Sequence, residues 1–298
     1  MNHLLRPLAP VSDSGWKLLD DEATERLTAA LAARKLVEFS GPHGWEHSAT
    51  NLGRASALAS APCEGIVATQ RRVLPLAELR AGFKVSLSEL RDHDRGAVDV
   101  DLADLDDAAH RIARAENIAV FHGWEDAGVA GIAEASPHRT VSLGENTDAF
   151  PRPVAAAVEL LLRAGIAGPY ALALGREEYT RVVETAEHGG YPLWEHLRRI
   201  IEGPIVWAPG VRGAIVLSLR GGDFLYESGQ DLSIGYESHD SEFVHLAWRQ
   251  NHADLKALPA GARLLRDATP VAVRTSDALT ELTTQARDDA IVRAGLPR

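Results

Sequence analysis

From Trp45 to about Val98 the chain carries almost no helical periodicity, and that gap constrains the fold more than any other feature. Asn51-Leu52-Gly53, Ala61-Pro62 and Leu74-Pro75 punctuate it with turn and breaker signals. Near its end Phe83, Val85 and Leu87 alternate with Lys84, Ser86 and Ser88, the period of a half-buried strand. This reads as a long, extended β excursion. A segment of that length without a core of its own needs another surface to lie against.

The flanking sequence is conventional. Ser12 or Asp13 caps a first helix whose Trp16, Leu19, Ala23, Leu27 and Ala30 fall on one stripe. Arg34 and Lys35 lie in or just past its last turn, and Lys35 to Phe39 alternates as a short strand that stops at Gly41-Pro42. A second, Ala-rich helix is predicted from about Leu102 to Phe121, with Leu105, Ala109, Ile112, Ala115 and Ala119 inward and Gly123 as its stop. Further helices are expected at about Pro153 to Ala164, Glu177 to Glu187 and Leu193 to Ile201. Strands are expected at Tyr170 to Leu174, Ile205 to Trp207, Ala214 to Leu219 and Phe224 to Tyr226. Gly221-Gly222-Asp223 reads as a hairpin turn between the last two. The order is mixed α and β, without the regular βα alternation of a doubly wound sheet.

Composition excludes several functions. With 31 Lys and Arg against 42 Asp and Glu the formal charge of the 298-residue chain is −11, unfavourable for a surface that must contact phosphates. No apolar run approaches the ~18 residues of a membrane span. Met1 to Val11, interrupted by Pro7 and Pro10, does not read as a signal peptide, so a cytoplasmic location is expected. The single cysteine, Cys63, permits neither an intrachain disulfide nor a cysteine zinc cluster.

One motif has catalytic form. His43-Gly44-Trp45-Glu46-His47 fits the H-x-x-E-H pattern of inverted zinc peptidases. That chemistry needs a helix, so that two histidines four apart face one metal with the glutamate beside its bound water. Pro42, Gly44, Asn51 and Gly53 oppose a helix there, and the segment reads better as a turn. G-x-S-x-G, G-x-x-x-x-G-K and G-x-G-x-x-G are all absent. Cys63 stands alone in an Ala/Pro-rich stretch, and Glu187-His188 and Glu195-His196 read as solvated surface. No cofactor or metal is expected, and no residue is assigned a catalytic role.

The sequence also carries a set of ordered blocks. Leu8-Ala9-Pro10, Trp16, Arg34-Lys35 and Gly41-Pro42-x-Gly44-Trp45-Glu46 come first. Leu74-Pro75-Leu76, Leu79-Arg80-Ala81-x-Phe83, Glu89-Leu90 and Arg95-Gly96 follow. Then come Gly168-Pro169-Tyr170, Gly190-Tyr191-Pro192, Trp207-Ala208-Pro209, Arg220-Gly221-Gly222-Asp223-Phe224 and Gln230-Asp231-Leu232-Ser233-Ile234-Gly235-Tyr236. Together they resemble the encapsulin shell proteins, the linocin-like family, over residues 4 to about 237.

The resemblance implies an α+β, HK97-like phage capsid fold with a peripheral domain, an axial domain and an elongated β loop. Residues 1–45 would hold the N-terminal helix and the start of the peripheral domain, 46–85 the elongated loop, and 86–136 the peripheral domain with its spine helix. Residues 137–225 would be the axial domain, 226–250 the return strands of the peripheral domain, and 251–298 an atypical C-terminal tail. It also implies a homo-oligomeric, icosahedral shell that is not an enzyme and that binds neither nucleic acid nor membrane. Its cargo would be a dye-decolourising peroxidase or a ferritin-like protein, held through the cargo's C-terminal peptide. By the same carry-over Arg34, Glu38, Ile234 and Tyr236 would lie in or near the cargo-docking surface, and Gly189, Gly190 and Tyr191 would line a pore. The alternatives are a zinc-dependent hydrolase using His43, Glu46 and His47, or a phage capsid protein proper.

One departure stands out. From His245 onward the Thr/Phe-rich closing strand of the family is not legible, so closure of the peripheral sheet is expected to depend on the tail or on a neighbour. Asp277 to Arg293 reads as an amphipathic helix.

Overall fold

The computed structural model describes residues 3–138, 140–143, 150–185, 190–253 and 271–274. They form two compact units, one of Met1–Gly131 with Phe224–Ala257, the other of Ile132–Asp223 with the C-terminal residues.

The first unit opens with helix α1, Asp13–Ala30. Ser12 caps it, accepting a 3.0 Å hydrogen bond from the Gly15 amide. Its buried residues include the expected stripe, Trp16, Leu19, Ala23, Leu27 and Ala30. Ala33–Leu36 then forms a short helix, α2, so the strand predicted from Lys35 shrinks to β1, Glu38–Ser40. The β excursion expected over Trp45 to about Val98 narrows to a two-stranded antiparallel ribbon of β2, Ala49–Ala57, and β3, Thr69–Pro75, because Leu87–Asp94 turns out helical and the strand before it pairs with a distant segment. Strand β4, Ala77–Ser86, leads into helix α3, Leu87–Asp94, and then helix α4, Ala103–His122, packs against α1 and β4.

The second unit begins with the single turn α5, Ile132–Ala135, strand β5, Val141–Ser142, and helix α6, Pro151–Arg163. Strand β6, Tyr170–Leu174, helices α7, Arg176–Glu184, and α8, Leu193–Ile201, and strands β7, Ile205–Trp207, and β8, Ala214–Ser218, follow. All five residues of β6 and of β8 are buried, as continuous apolar runs predict for strands covered on both faces.

The chain then returns to the first unit in two long strands, β9, Leu225–His239, and β10, Phe243–Ala253. They complete a sheet of order β1-β9-β10-β4, parallel only between β1 and β9. Strand β10 is therefore central, which corrects the expectation of a missing closing strand. Val244, Leu246, Trp248 and Gln250 are buried at every second position, and this alternation rather than Thr/Phe content marks the strand. The Gly221-Gly222-Asp223 hairpin is also corrected. Strand β8 pairs with β6, while β9 pairs with β1 and β10. Past Ala253 the structure describes only β11, Val271–Arg274, between β5 and β8 in the second unit's sheet of order β5-β11-β8-β6-β7. The helix expected over Asp277 to Arg293 lies outside the described residues.

Candidate functional site

The H-x-x-E-H segment is a loop between β1 and β2. The His47 amide closes a turn on the Gly44 carbonyl at 3.2 Å, and Gly44 has a φ of +102°. The imidazoles of His43 and His47 sit 4.9 Å apart at 48°, and His43 hydrogen-bonds Ser40 at 2.9 Å. Glu46 is exposed, and His47 instead approaches Glu227 of β9 at 4.0 Å. Without the helix no metal triad converges, and among the described residues no group of three or more His, Cys, Asp or Glu could hold a metal. The loop geometry therefore lends the zinc-hydrolase reading no support. The loop instead anchors the root of the ribbon: the His43 and Gly44 amides donate to the Ser228 and Gly229 carbonyls at 2.9 and 2.7 Å. Gly41 is required there, with φ +136° and a Cβ position only 2.4 Å from the Ser228 carbonyl oxygen.

The ribbon is exposed almost throughout. Leu58, Ile66, Val67 and Val73 are open to solvent, Val67 at 90%. Cys63 is exposed in the loop joining the two strands. Several large apolar side chains left open on one element suit a surface that an assembly covers.

Arg34 faces inward from α2. Its guanidinium donates to both carboxylate oxygens of Glu116 at 3.0 and 2.9 Å and to Asp231 at 2.6 Å, and stacks 4.8 Å over Phe39. Glu116, on α4, is fully buried and also accepts from the Tyr226 hydroxyl at 2.9 Å and the Gln250 amide at 2.7 Å. Burial pulls the Arg34 pKa down, and the hydrogen bonds and charge of Glu116 outweigh it, so the net shift is upward. Next to Glu116, Asn117 accepts from the Ala32 and Ala33 amides and donates to the Ala30 carbonyl, satisfying backbone groups at the α1–α2 junction. Sequence periodicity placed Ala115 inward and passed over Glu116 and Asn117, because a polar residue on an apolar stripe is visible only when its partners are.

The other expected docking residues divide. Glu38 is exposed and Tyr236 half-buried, its hydroxyl 2.7 Å from His239. Ile234 is a core residue at 1% exposure, and only its backbone is available, taken by the Arg6 guanidinium at 2.8 Å. Arg6 also forms a bidentate pair with Asp20 of α1 and lies 4.5 Å over Trp16. With the Tyr236 amide donating to the Leu4 carbonyl at 2.8 Å, these contacts fasten the N-terminal segment along β9 and α1. They leave Leu5 and Leu8 exposed beside the helix, at 40% and 64%. None of Arg6, Leu5, Leu8 or Asp20 was a sequence candidate. A lone arginine in an otherwise uncharged N-terminal stretch was the only available signal.

In the second unit Gly190, with φ +79°, and Tyr191 precede α8. The Tyr191 ring contacts Arg199 at 5.3 Å and His196 at 6.5 Å. Gly189, Glu187 and His188 lie outside the described residues. Among the described residues no helix is long and apolar enough to cross a membrane.

Residues 1–251 match the family model Linocin_M18, described as an encapsulating protein for peroxidase. A type 1 encapsulin shell protein of Rhodospirillum rubrum is 43% identical over 279 residues, covering 92% of this chain and all of the relative. The shell protein of Rhodococcus erythropolis is 38% identical over 251 residues, 84% of this chain and 94% of that one. That of Mycobacterium tuberculosis is 39% identical over 246 residues, 83% and 92%. Among solved structures, a virus-like particle from Pyrococcus furiosus superimposes with a TM-score of 0.57 at 16% identity, covering 80% of this chain and 93% of that one. Microbacterium phage Oxtober96 gives 0.50 at 11% identity, covering 83% and 91%. At these identities the likeness is one of fold, the α+β, HK97-like capsid fold.

Proposed function

Because this chain belongs to the encapsulin shell protein family, we propose that its copies tile into a closed cytoplasmic shell around a cargo enzyme. The observation that carries the tiling is the ribbon of β2 and β3. Two strands alone are marginal in water, and this pair exposes Val73 while its connecting loop exposes Leu58, Ile66 and Val67. Lying along a neighbouring copy removes that apolar area from water and gives the ribbon the surface that its own copy lacks.

The cargo in this reading is a dye-decolourising peroxidase or a ferritin-like protein, tethered by its C-terminal peptide. The docking face combines the exposed Leu5 and Leu8 with Glu38 and the half-buried Tyr236. Arg34 and Ile234 support this face from within, since one is committed to Glu116 and the other to the core. Gly190 and Tyr191, with Gly189 beside them in sequence, border a pore in the assembled shell.

Electron microscopy of the purified chain tests the shell, with closed hollow particles expected. A species that stays monomeric across salt and pH overturns it. Co-expression with a dye-decolourising peroxidase or a ferritin-like protein that carries such a C-terminal peptide tests the cargo. Full-length cargo should co-purify with particles and cargo lacking its C-terminal peptide should not. Loading unaffected by Leu8→Asp combined with Tyr236→Ala overturns the docking face.

A further inference from the structure

The ribbon carries a charge pattern that its own copy leaves unmatched. Register sets Arg54 of β2 directly opposite Arg72 of β3, so the two side chains share one face, while Arg71 faces Ala55 on the other. All three arginines are exposed, and none forms an ion pair with a described residue. Like charges directly opposed across a strand pair weaken it. The single carboxylate of residues 49–75 is Glu64, in the loop that joins the strands. A strand pair with three arginines therefore projects from a chain whose total charge is −11.

A like-charged pair of opposite sign lies at the start of α4. Asp104 and Asp107 are three residues apart, hence on one helical face, and both are exposed. They line an open cleft of about 360 Å³ together with Lys84, Arg111, Glu237 and His245. The two long cations of that cleft make other contacts, Arg111 with a residue of the cleft itself, and neither forms an ion pair with Asp104 or Asp107. Lys84 sits 4.3 Å over the Phe243 ring, and Arg111 donates to the Gly82 carbonyl at 2.9 Å. The intervening Asp106 is paired with Arg26 at 3.1 Å, whereas Asp104 and Asp107 have no ion pair with a described residue.

We propose that Arg54 and Arg72 of one copy dock on Asp104 and Asp107 of a neighbouring copy, so that the ribbon is held by matched charge pairs as well as by apolar burial. This rests on the shell reading above and adds to it a specific seat for the ribbon. Each pair repels itself within its own copy, and bringing the two together relieves both repulsions at once. A second copy fits better than nucleic acid. The remainder of the chain is strongly acidic and repels phosphate, while tiling holds a neighbour's carboxylates at high local concentration.

A double-mutant cycle on full-length chains tests the pairing. The variants are Arg54→Gln/Arg72→Gln, Asp104→Asn/Asp107→Asn and all four changes together. The readout is the particle fraction at about 0.15 M and about 1 M salt, where screening lengths differ severalfold. The exposed positions leave folding intact, which circular dichroism of the unassembled chain checks. Wild type should lose particles as salt rises, and both double variants should assemble less well at low salt and lose that salt dependence. The fourfold variant should be no worse than either double variant, because once one partner is gone the other has nothing left to lose. Double variants that assemble like wild type, or losses that simply add, overturn the pairing while the shell reading stands. Co-purifying nucleic acid that disappears with the arginines assigns them to phosphate and also overturns it. A wild type that never forms particles overturns both readings.

Discussion

Removing Arg34 should expose how much of this fold hangs on one buried carboxylate. Glu116 is fully buried, and its compensation consists of two guanidinium hydrogen bonds near 3 Å, a tyrosine hydroxyl and a glutamine amide. Arg34→Ala takes away the only cation among them and leaves two neutral donors facing a charge in a low-dielectric interior. Breaking a buried pair in this way costs about 3–5 kcal/mol. For a chain of this size that corresponds to a fall of roughly 5–8 °C in unfolding temperature. The assay is denaturant unfolding of matched samples at equal protein concentration, since assembly itself shifts apparent stability. Adding Glu116→Gln to Arg34→Ala removes the stranded charge and should recover more than half of the loss. A single variant within about 1 kcal/mol of wild type, or a double variant no better than the single, refutes the argument. The experiment also bears on cargo. Poor loading by Arg34→Ala would follow from a damaged fold, so it says nothing about direct contact with the cargo peptide.

Three further outcomes are expected. Gly41→Ala forces a Cβ to within 2.4 Å of the Ser228 carbonyl at φ +136°. It should cost at least about 1–3 kcal/mol in unfolding measurements, and a cost below ~0.5 kcal/mol would show that the ribbon's root relaxes freely. Leu246→Ala in the central strand should cost about 2–5 kcal/mol, while Val98→Ala, at 97% exposure, should change stability by less than ~0.5 kcal/mol. Equal effects would contradict the central place of β10. Burial pushes the pKa of the Glu178 carboxyl above its ordinary 4.5, so the fold favours the protonated form, and the stability this gives at low pH is lost as pH rises through the raised value. Glu178→Gln should therefore be more stable than wild type at neutral pH, with the difference vanishing on acidification. A difference that instead grows toward acid pH would reverse the sign.

Local pattern carried the reading where neighbours in sequence are also neighbours in space. The α1 stripe, strand β6, helix α8 and strand β7 stand where spacing and breakers put them. The H-x-x-E-H segment was legible as a turn because Pro42 and Gly44 act on their own backbone. Readings failed where a residue's meaning depended on a distant partner. Arg34 looked like a cation near a helix end until Glu116, 82 positions away, turned it inward. Strand β10 read as missing because its Trp248, Arg249 and Gln250 do not match the expected composition. At Gly221-Gly222 the chain does bend, with positive φ at both glycines, but the expected hairpin does not form because the flanking strands find partners in different sheets.

By itself, then, the chain's order of residues determined many of its helices and short strands, the presence of an unsupported β excursion and the family, because propensity, periodicity and ordered motifs are local or cumulative properties. Only the tertiary structure decided that Glu116 and Arg34 form an internal pair, that β10 lies at the centre of its sheet, and that Arg54 stands opposite Arg72. Each of those facts depends on register or burial between segments far apart in the chain, and side chains acquire partners only when the backbone has brought them face to face.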